Sequence, residues 1–149
     1  MKTKIMVVAL GLACAGCQTT GSVAETNSKS AIVGLVALKA QEHNVPTPLA
    51  QAVVSLESGY KPNVVSQGNY GLGQIKCGTA RSVGFTGNCR DLLNPDINLE
   101  YTMRYLRLAM DKANGDWCMA ATVYNSGALS APRRSAYCRK VLARVDKPL

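Results

Sequence analysis

One glutamate in the sequence stands where an acid could do chemistry. Glu57 ends the otherwise uncharged stretch LAQAVVSLE and is followed by Ser58 and Gly59. If this stretch is a helix, its dipole places partial negative charge near Glu57, which raises the pKa of the carboxyl; partial burial acts in the same direction. A carboxyl that stays protonated near neutral pH can serve as a general acid toward a leaving-group oxygen. Taken alone, Glu57 also fits a surface residue that closes a helix.

Two glycine-containing segments further along carry groups that suit a sugar ligand. The segment GNYGLGQI has glycines that let a backbone approach a ligand closely, and its Gln74 amide can donate and accept hydrogen bonds. The segment VYNSG ends another apolar stretch with Tyr124 and Asn125. Amides and hydroxyls recognise N-acetyl groups, and aromatic rings stack on sugar faces. Each segment is a weak signal by itself.

No second acidic residue occupies a comparable position. Glu25 falls in a polar stretch, while Glu42 and Glu100 sit among polar neighbours on predicted helices and are expected to be solvated. Asp91 lies in a predicted loop, and Asp96 lies in the first turn of a helix, where it interacts favourably with the helix dipole. Most glycosidases use two carboxylates, so the sequence favours a mechanism with one.

The elements that must position these residues are predicted to be helical, packed as one mainly α domain. Asn94-Pro95 is the clearest helix start, an N-cap residue followed by proline, and Asn114-Gly115 closes that helix. No convincing alternating strand is present, and residues 85–93 are expected to form a loop. Helices are expected over 30–44, from the cap Thr47 to Gly59, around 79–83, over 95–112, from the cap Asp116 to Tyr124, and from about 132 to 144.

The N-terminus has the layout of a secretory signal. Lys2 and Lys4 precede an apolar run that is too short to span a membrane. The residues CAGC that end at Cys17 resemble a bacterial lipobox, although Cys14 stands where Leu or Val is usual. We therefore expect lipidation at Cys17, with ordinary cleavage nearby as the alternative. The protein would then be exported to the periplasm and anchored to the outer membrane by its lipid.

Three regions follow from this division: a signal peptide over 1–16, a lipidated N-terminus and flexible tether over 17–29, and one folded domain over 30–149. Removing the signal takes away two of the 17 Lys and Arg residues and none of the nine acidic ones, which leaves a net charge of +6. That balance favours a polyanionic partner such as nucleic acid, acidic lipid or a wall polymer. Export argues against nucleic acid.

The four cysteines of the predicted domain fit an oxidising compartment. Cys77, Cys89, Cys118 and Cys138 permit three pairings, and the sequence does not choose among them. We favour Cys77 with Cys89 and Cys118 with Cys138, because each pair closes a short local loop. A zinc site is the alternative, but these four cysteines form no CxxC pair and His43 is the only histidine, so no metal is expected.

Taken in order, these motifs resemble the lytic transglycosylases of the soluble type, relatives of goose-type lysozyme. Glu57-Ser58 is followed by GLGQI, TAR, NPDINLEYTMRYL, YNSG and SAYCRKVL, which together cover roughly residues 47–142. The resemblance implies a lysozyme-like helical domain of about six helices. It also implies a monomer that acts on peptidoglycan glycan strands without a cofactor.

The resemblance assigns roles residue by residue. Glu57 matches the catalytic acid. The positions that match substrate-binding residues are Ser58, Ser66, Gln74, Tyr124, Asn125 and Tyr137. Two departures stand out: Lys76-Cys77-Gly78 replaces a stretch where the family commonly has a proline, and Thr102 and Met103 stand near a position where it often has glycine. A disulfide is expected to hold the first turn, and the packing behind the cleft is expected to differ.

The family mechanism that the resemblance implies needs a single carboxyl. Protonated Glu57 protonates the β-1,4 glycosidic oxygen between N-acetylmuramic acid and N-acetylglucosamine, and the substrate's N-acetyl oxygen stabilises the developing cation. Glu57 then takes the proton from the muramoyl 6-hydroxyl, which closes a 1,6-anhydro ring. Two alternatives use the same residues: a hydrolytic muramidase that admits water, and a non-catalytic wall-binding lipoprotein.

Overall fold

The computed structural model describes residues 28–127 and 135–147, and within them the chain is mainly helical, as predicted. The predicted signal peptide, Cys17 and most of the tether lie outside the described residues. None of the described helices is both long and apolar enough to cross a membrane. The helices are α1 (Lys29–Glu42), α2 (Thr47–Ser58), α3 (Cys77–Ser82), α4 (Pro95–Lys112), α5 (Trp117–Ser126) and α6 (Ala136–Val145). The strands are β1 (Val65–Ser66), β2 (Asn69–Tyr70) and β3 (Ile75–Lys76), and a 3₁₀ turn spans Cys89–Leu93.

The helix ends follow local chemistry, with two corrections to the predicted boundaries. Helix α2 begins at Thr47 itself, with Pro46 in the cap position and no side-chain cap, and it ends at Gly59, whose φ of 59° favours glycine. Helix α6 begins at Ala136, because the Ser135 hydroxyl caps it by accepting a hydrogen bond from the Cys138 amide at 3.0 Å.

The small antiparallel sheet corrects the expectation that no strand is present. Its order is β1-β2-β3, and Ser66, Asn69 and Lys76 are paired in one row across it. Gln67 and Gly68, which connect β1 to β2, have φ values of 50° and 76°, as the tightest hairpin turns require. Strands of two residues are too short to show an alternating pattern in the sequence.

Helix α4 runs through the middle of the fold. Its residues Leu99, Met103 and Leu106 recur on one face and are fully buried. Helix α4 packs against α1, α3 and α5, while α2 packs against α1 and α6. Burying a Leu or Met side chain contributes roughly 1.5–3 kcal/mol, so this face fixes the position of α4 in the domain. A smaller apolar cluster joins Ile75 of β3 to Phe85.

Asn98, on α4, is a buried polar side chain that ties four parts of the chain together. Its Nδ2 donates to the carbonyl oxygens of Tyr70 at 2.8 Å and Leu92 at 2.7 Å. Its Oδ1 accepts from the Gly73 amide at 2.9 Å and from the Thr102 hydroxyl at 3.3 Å. The GLGQI loop, β2 and the 3₁₀ turn are therefore all held against α4 by one amide.

The bulkier residues at 102 and 103 are accommodated behind this loop. Both side chains are buried, and a Cβ atom added to Gly73 would lie 2.1 Å from the Thr102 Oγ1. Thr102 thus fills the space that a glycine on α4 would leave. Because Gly73 has no side chain, the loop can pack directly against Thr102.

Both disulfides form in the favoured pairing. Cys77 of α3 is bonded to Cys89 of the 3₁₀ turn, and Cys118 of α5 is bonded to Cys138 of α6. Each joins two neighbouring elements, so the first braces the segment that follows β3 and the second fixes the start of α6.

Glu100 was expected to be solvated, and the structure corrects this. Its carboxylate is only 22% exposed and bonds to His43 at 3.0 Å, to Arg104 at 2.8 Å and to Lys39 at 3.5 Å. Burial by itself raises the pKa of Glu100, but the hydrogen bonds and charges of His43 and Arg104 outweigh it and lower the pKa to about 2. These ion pairs join α1 to α4.

Replacing the buried amide should destabilise the whole domain. Asn98→Ala leaves the Tyr70 and Leu92 carbonyls and the Gly73 amide without their partner, so we expect the free energy of unfolding to fall by about 2–4 kcal/mol in urea titrations. The control Asn63→Ala, at an exposed position, should change it by less than about 0.5 kcal/mol. Equal stabilities of the two variants would contradict the role given to Asn98.

The Glu100 ion pairs should make stability depend on pH in acid. Because the folded pKa of about 2 lies below the ordinary value of 4.5, their contribution is present above pH 4.5 and is lost as the pH falls toward 2. Glu100→Gln should therefore lower Tm at pH 7 but make little difference near pH 2. The control Asp111→Asn, which removes an exposed pair with Arg107 on the same helix, should change Tm little at either pH.

Candidate active site

A cleft of about 650 Å³ lies between the end of α2, the sheet, α4 and the end of α5. Its lining includes five residues singled out from the sequence, Glu57, Ser66, Gln74, Tyr124 and Asn125. The fold thus brings together side chains that are up to 68 positions apart in the chain.

Glu57 is half-buried at the last turn of α2, where it lines the cleft. The Tyr137 hydroxyl on α6 donates a hydrogen bond to its Oε1 at 2.5 Å. Burial raises the pKa of the Glu57 carboxyl, and the hydrogen bond from Tyr137 lowers it by a smaller amount. The net shift is upward, as the sequence predicts, with burial as the main cause. Such a carboxyl is suited to donating a proton.

Tyr137, which the resemblance assigns to substrate binding, lies on the last helix and contacts the acid. It is not among the residues that line the cleft, and its hydroxyl bonds to the acid instead. Burial and the neighbouring Glu57 raise the pKa of the Tyr137 hydroxyl, so it stays protonated and has a proton to donate in this bond. The adjacent Cys138 is fixed to α5 by its disulfide, which holds the start of α6 in place. Tyr137 thus lies where it can orient the Glu57 carboxyl.

Ser58 is a second residue that the resemblance assigns to substrate binding. It is buried, lies outside the cleft lining, and donates from its hydroxyl to the Val54 carbonyl at 3.2 Å. Successive residues of a helix point about 100° apart, so Glu57 and Ser58 cannot both face the cleft. The serine satisfies its own hydroxyl within the helix, as buried serines commonly do.

Gln74 and Tyr124 hold the wall of the cleft as well as lining it. The Gln74 side-chain nitrogen donates to the carbonyls of Val64 at 3.1 Å and Gly71 at 2.9 Å, which uses both of its protons. The carbonyl oxygen of the amide is what remains for a ligand. The buried Tyr124 hydroxyl donates to the Gly73 carbonyl at 2.7 Å. Both residues therefore fix the GLGQI loop opposite Glu57.

The sheet supplies lining residues that sequence reasoning missed. Asn69 and Lys76 line the cleft beside Ser66, and the Asn69 amide donates to the Ser66 carbonyl at 2.9 Å. Tyr105 of α4 also lines the cleft and packs against Tyr124 with ring centroids 5.4 Å apart. Asn69 and Lys76 reach the cleft through the register of the sheet, which the sequence does not show. The departure from the family pattern at Lys76-Cys77 was the one sequence signal near them.

Within the described part of the chain, Glu57 is the only carboxylate that lines the cleft. A group with metal-ligand chemistry lies elsewhere: ligand atoms of Glu42, His43 and Glu100 lie within 4.8 Å of one another. The Lys39 ammonium bonds to both carboxylates there, at 3.0 Å and 3.5 Å, so a cation of the protein already balances their charge. The chemistry of the cleft therefore depends on one acid.

Solved structures of lytic transglycosylases share this fold. The 70 kDa soluble lytic transglycosylase of Escherichia coli has a similar structure, with a TM-score of 0.65 and 23% identity over 75% of this chain. Its complex with bulgecin A gives a TM-score of 0.66 and 22% identity, again over 75% of this chain. An inactive glutamate-to-glutamine mutant of the lytic transglycosylase Slt from Pseudomonas aeruginosa gives 0.68 and 20% identity over 86%.

These likenesses concern one part of larger proteins. The chain covers 23% of each Escherichia coli chain and 25% of the Pseudomonas aeruginosa chain. At such identities they show the fold, which confirms the predicted lysozyme-like helical domain.

The family model of the transglycosylase SLT domain matches residues 34–143, which include every described residue of the cleft. The match spans well over half of the sequence and confirms the resemblance drawn from its motifs. The chain belongs to the transglycosylase SLT domain family.

Proposed function

We propose that this protein is a peptidoglycan lytic transglycosylase in which Glu57 acts first as acid and then as base. The observation that carries the proposal is a half-buried glutamate with a raised pKa in a cleft where no other described residue offers a carboxylate. Ordinary glycosidases need a second carboxylate to act as nucleophile or to activate water. A substrate that supplies its own nucleophile removes that need.

The reaction proceeds in two proton transfers. The glycan strand lies in the cleft so that Glu57 protonates the β-1,4 oxygen that leaves N-acetylmuramic acid, and the acetamido oxygen of the same sugar stabilises the cation at its anomeric carbon. The Glu57 carboxylate then accepts the proton of the muramoyl 6-hydroxyl. That oxygen attacks the anomeric carbon, closes the 1,6-anhydro ring and regenerates protonated Glu57.

Tyr137 serves both halves of this cycle. Its hydrogen bond holds one carboxyl oxygen in place, so the other oxygen of Glu57 is directed to the substrate. The same bond stabilises the carboxylate formed after the first transfer, while burial favours the return to the protonated form. The two opposing effects keep the carboxyl able to give up a proton and take one back.

The comparisons support this assignment. The chain belongs to the transglycosylase SLT domain family, and the Pseudomonas aeruginosa relative is inactive when one glutamate is replaced by glutamine. The lipid at Cys17, export to the periplasm, attachment to the outer membrane and a monomeric state belong to the same proposal. An anchored, basic domain would then meet anionic wall polymer directly.

Removing the acid tests the proposal. Glu57→Gln should lower the rate of glycan cleavage by about 10²- to 10⁴-fold because the amide has no proton to give, with an unchanged Tm. Mass spectrometry of the digested glycan should find 1,6-anhydromuramoyl ends with the unaltered protein. The control Glu42→Gln, at an exposed position outside the cleft, should leave the rate unchanged.

The products decide among the alternatives. Reducing muramoyl ends without anhydro ends would mean a hydrolase on the same scaffold. Binding without any cleavage by the unaltered protein would mean a wall-binding role, and full activity of Glu57→Gln would mean that the acid lies elsewhere.

Tyr137→Phe should change the pH dependence of cleavage. The hydrogen bond from Tyr137 lowers the pKa of Glu57, so its loss should raise that pKa and move the fall in kcat/KM on the alkaline side to higher pH. Lost orientation should lower kcat about tenfold. The control Tyr60→Phe removes a tyrosine hydroxyl that donates to the Gln51 carbonyl outside the cleft and should cause neither change. An unmoved pH profile in Tyr137→Phe would contradict the role of this bond.

A further inference from the structure

Lys76 is the charged residue of the cleft that the proposed reaction does not use. It lies on β3, paired with Asn69 of β2, which is paired in turn with Ser66 of β1. Directly paired residues project from the same face of a sheet. All three line the cleft, so they form a polar row along one wall with an ammonium group at its end.

The charge of Lys76 is available to a ligand. Lys76 is exposed, and it is the only Lys or Arg among the described residues that line the cleft. The ion pairs formed within the described residues join other cations to Glu42, Asp96, Glu100 and Asp111. The Glu57 carboxyl bonds to a tyrosine, and its pKa is set by burial and that bond. The ammonium therefore acts on what enters the cleft, not on the acid.

The backbone at Lys76 is fixed on both sides. Ile75 before it is buried in the smaller apolar cluster, and Cys77 after it is bonded to Cys89. Lys76 itself is the N-cap residue of α3, in extended conformation with φ −72° and ψ 144°. The backbone at Lys76 is thus already ordered, so only its side chain has to be ordered when a ligand binds.

The proposed substrate offers an anion of suitable chemistry. N-acetylmuramic acid carries a lactyl group whose carboxyl is either free or joined to a peptide that bears further carboxylates. An uncharged polymer of N-acetylglucosamine has neither. We propose that Lys76 is a specificity-determining residue that binds a carboxylate of the lactyl-peptide substituent and so selects muramoyl-containing strands. This inference rests on the proposed function.

Three soluble glycan strands of equal length test it: strands with peptides, strands stripped to the free lactyl carboxyl, and stripped strands with that carboxyl converted to a methyl amide. Cleavage of each is measured with the unaltered full chain, Lys76→Gln, Lys76→Arg and the control Lys61→Gln, an exposed lysine outside the cleft.

Lys76→Gln should raise KM about threefold to tenfold at low salt and change kcat by less than about twofold. Lys76→Arg should retain most of the affinity, and Lys61→Gln should match the unaltered protein. At about 0.5 M salt, the difference in KM between Lys76→Gln and the unaltered protein should shrink to about twofold or less. An effect confined to peptide-bearing strands identifies the peptide carboxylates, and one confined to stripped strands identifies the lactyl carboxylate. The inference would be overturned if Lys76→Gln and the unaltered protein had equal KM values on both the peptide-bearing and the stripped strands. It would also be overturned if Lys76→Gln raised KM equally on the methyl amide strands.

A binding measurement separates this inference from the proposed function. Fluorescence anisotropy with labelled strands, in a Glu57→Gln background, reads the Lys76 contribution without turnover. Lys76-dependent binding, together with an absence of anhydro ends from the protein that retains Glu57, would contradict the proposed reaction alone. Anhydro ends from a protein whose binding ignores Lys76 would contradict the inference alone.

Discussion

The arrangement of the cleft depends on one buried amide. Asn98 uses both of its N–H groups and its oxygen to bind the GLGQI loop, β2 and the 3₁₀ turn to α4. Leaving any of these buried groups without a partner would lower the stability of the fold. The surrounding chain therefore adopts the positions that satisfy all of them. Gly73, pressed against Thr102, shows how close that approach is. The wall of the cleft opposite Glu57 is thereby fixed to α4, one face of which is fully buried in the core.

In the proposed reaction, a single carboxyl has to alternate between two protonation states. Burial at the end of α2 favours the neutral form of Glu57, and the hydrogen bond from Tyr137 favours the charged form. The two residues come from α2 and α6, which pack against each other, and the disulfide from Cys118 to Cys138 holds α6 beside that contact. The disulfide and the packing of α2 against α6 therefore both help to set the pKa of Glu57.

The helices were predictable from sequence because their signals are local: Asn94 before proline caps α4, and Gly59 ends α2. Glu57 was predictable because it stands at such an end. The proposed roles of Tyr137 and Lys76 were not predictable. That of Tyr137 depends on the packing of two helices that brings it to Glu57, 80 positions away, and that of Lys76 depends on the register of strands of two residues each. Glu100 was misjudged for the same reason, since Lys39 lies on α1 and His43 is the C-cap residue of that helix.

If Glu57 works without an activated water, the new substituent on the anomeric carbon comes from the substrate and not from the solvent. Glycan strands digested in water enriched in ¹⁸O are analysed by mass spectrometry. The account predicts muramoyl ends that have lost the mass of one water relative to a reducing end and carry no ¹⁸O, because the 6-hydroxyl of the substrate closes the ring. Reducing ends that carry ¹⁸O from the first turnovers onward would contradict it.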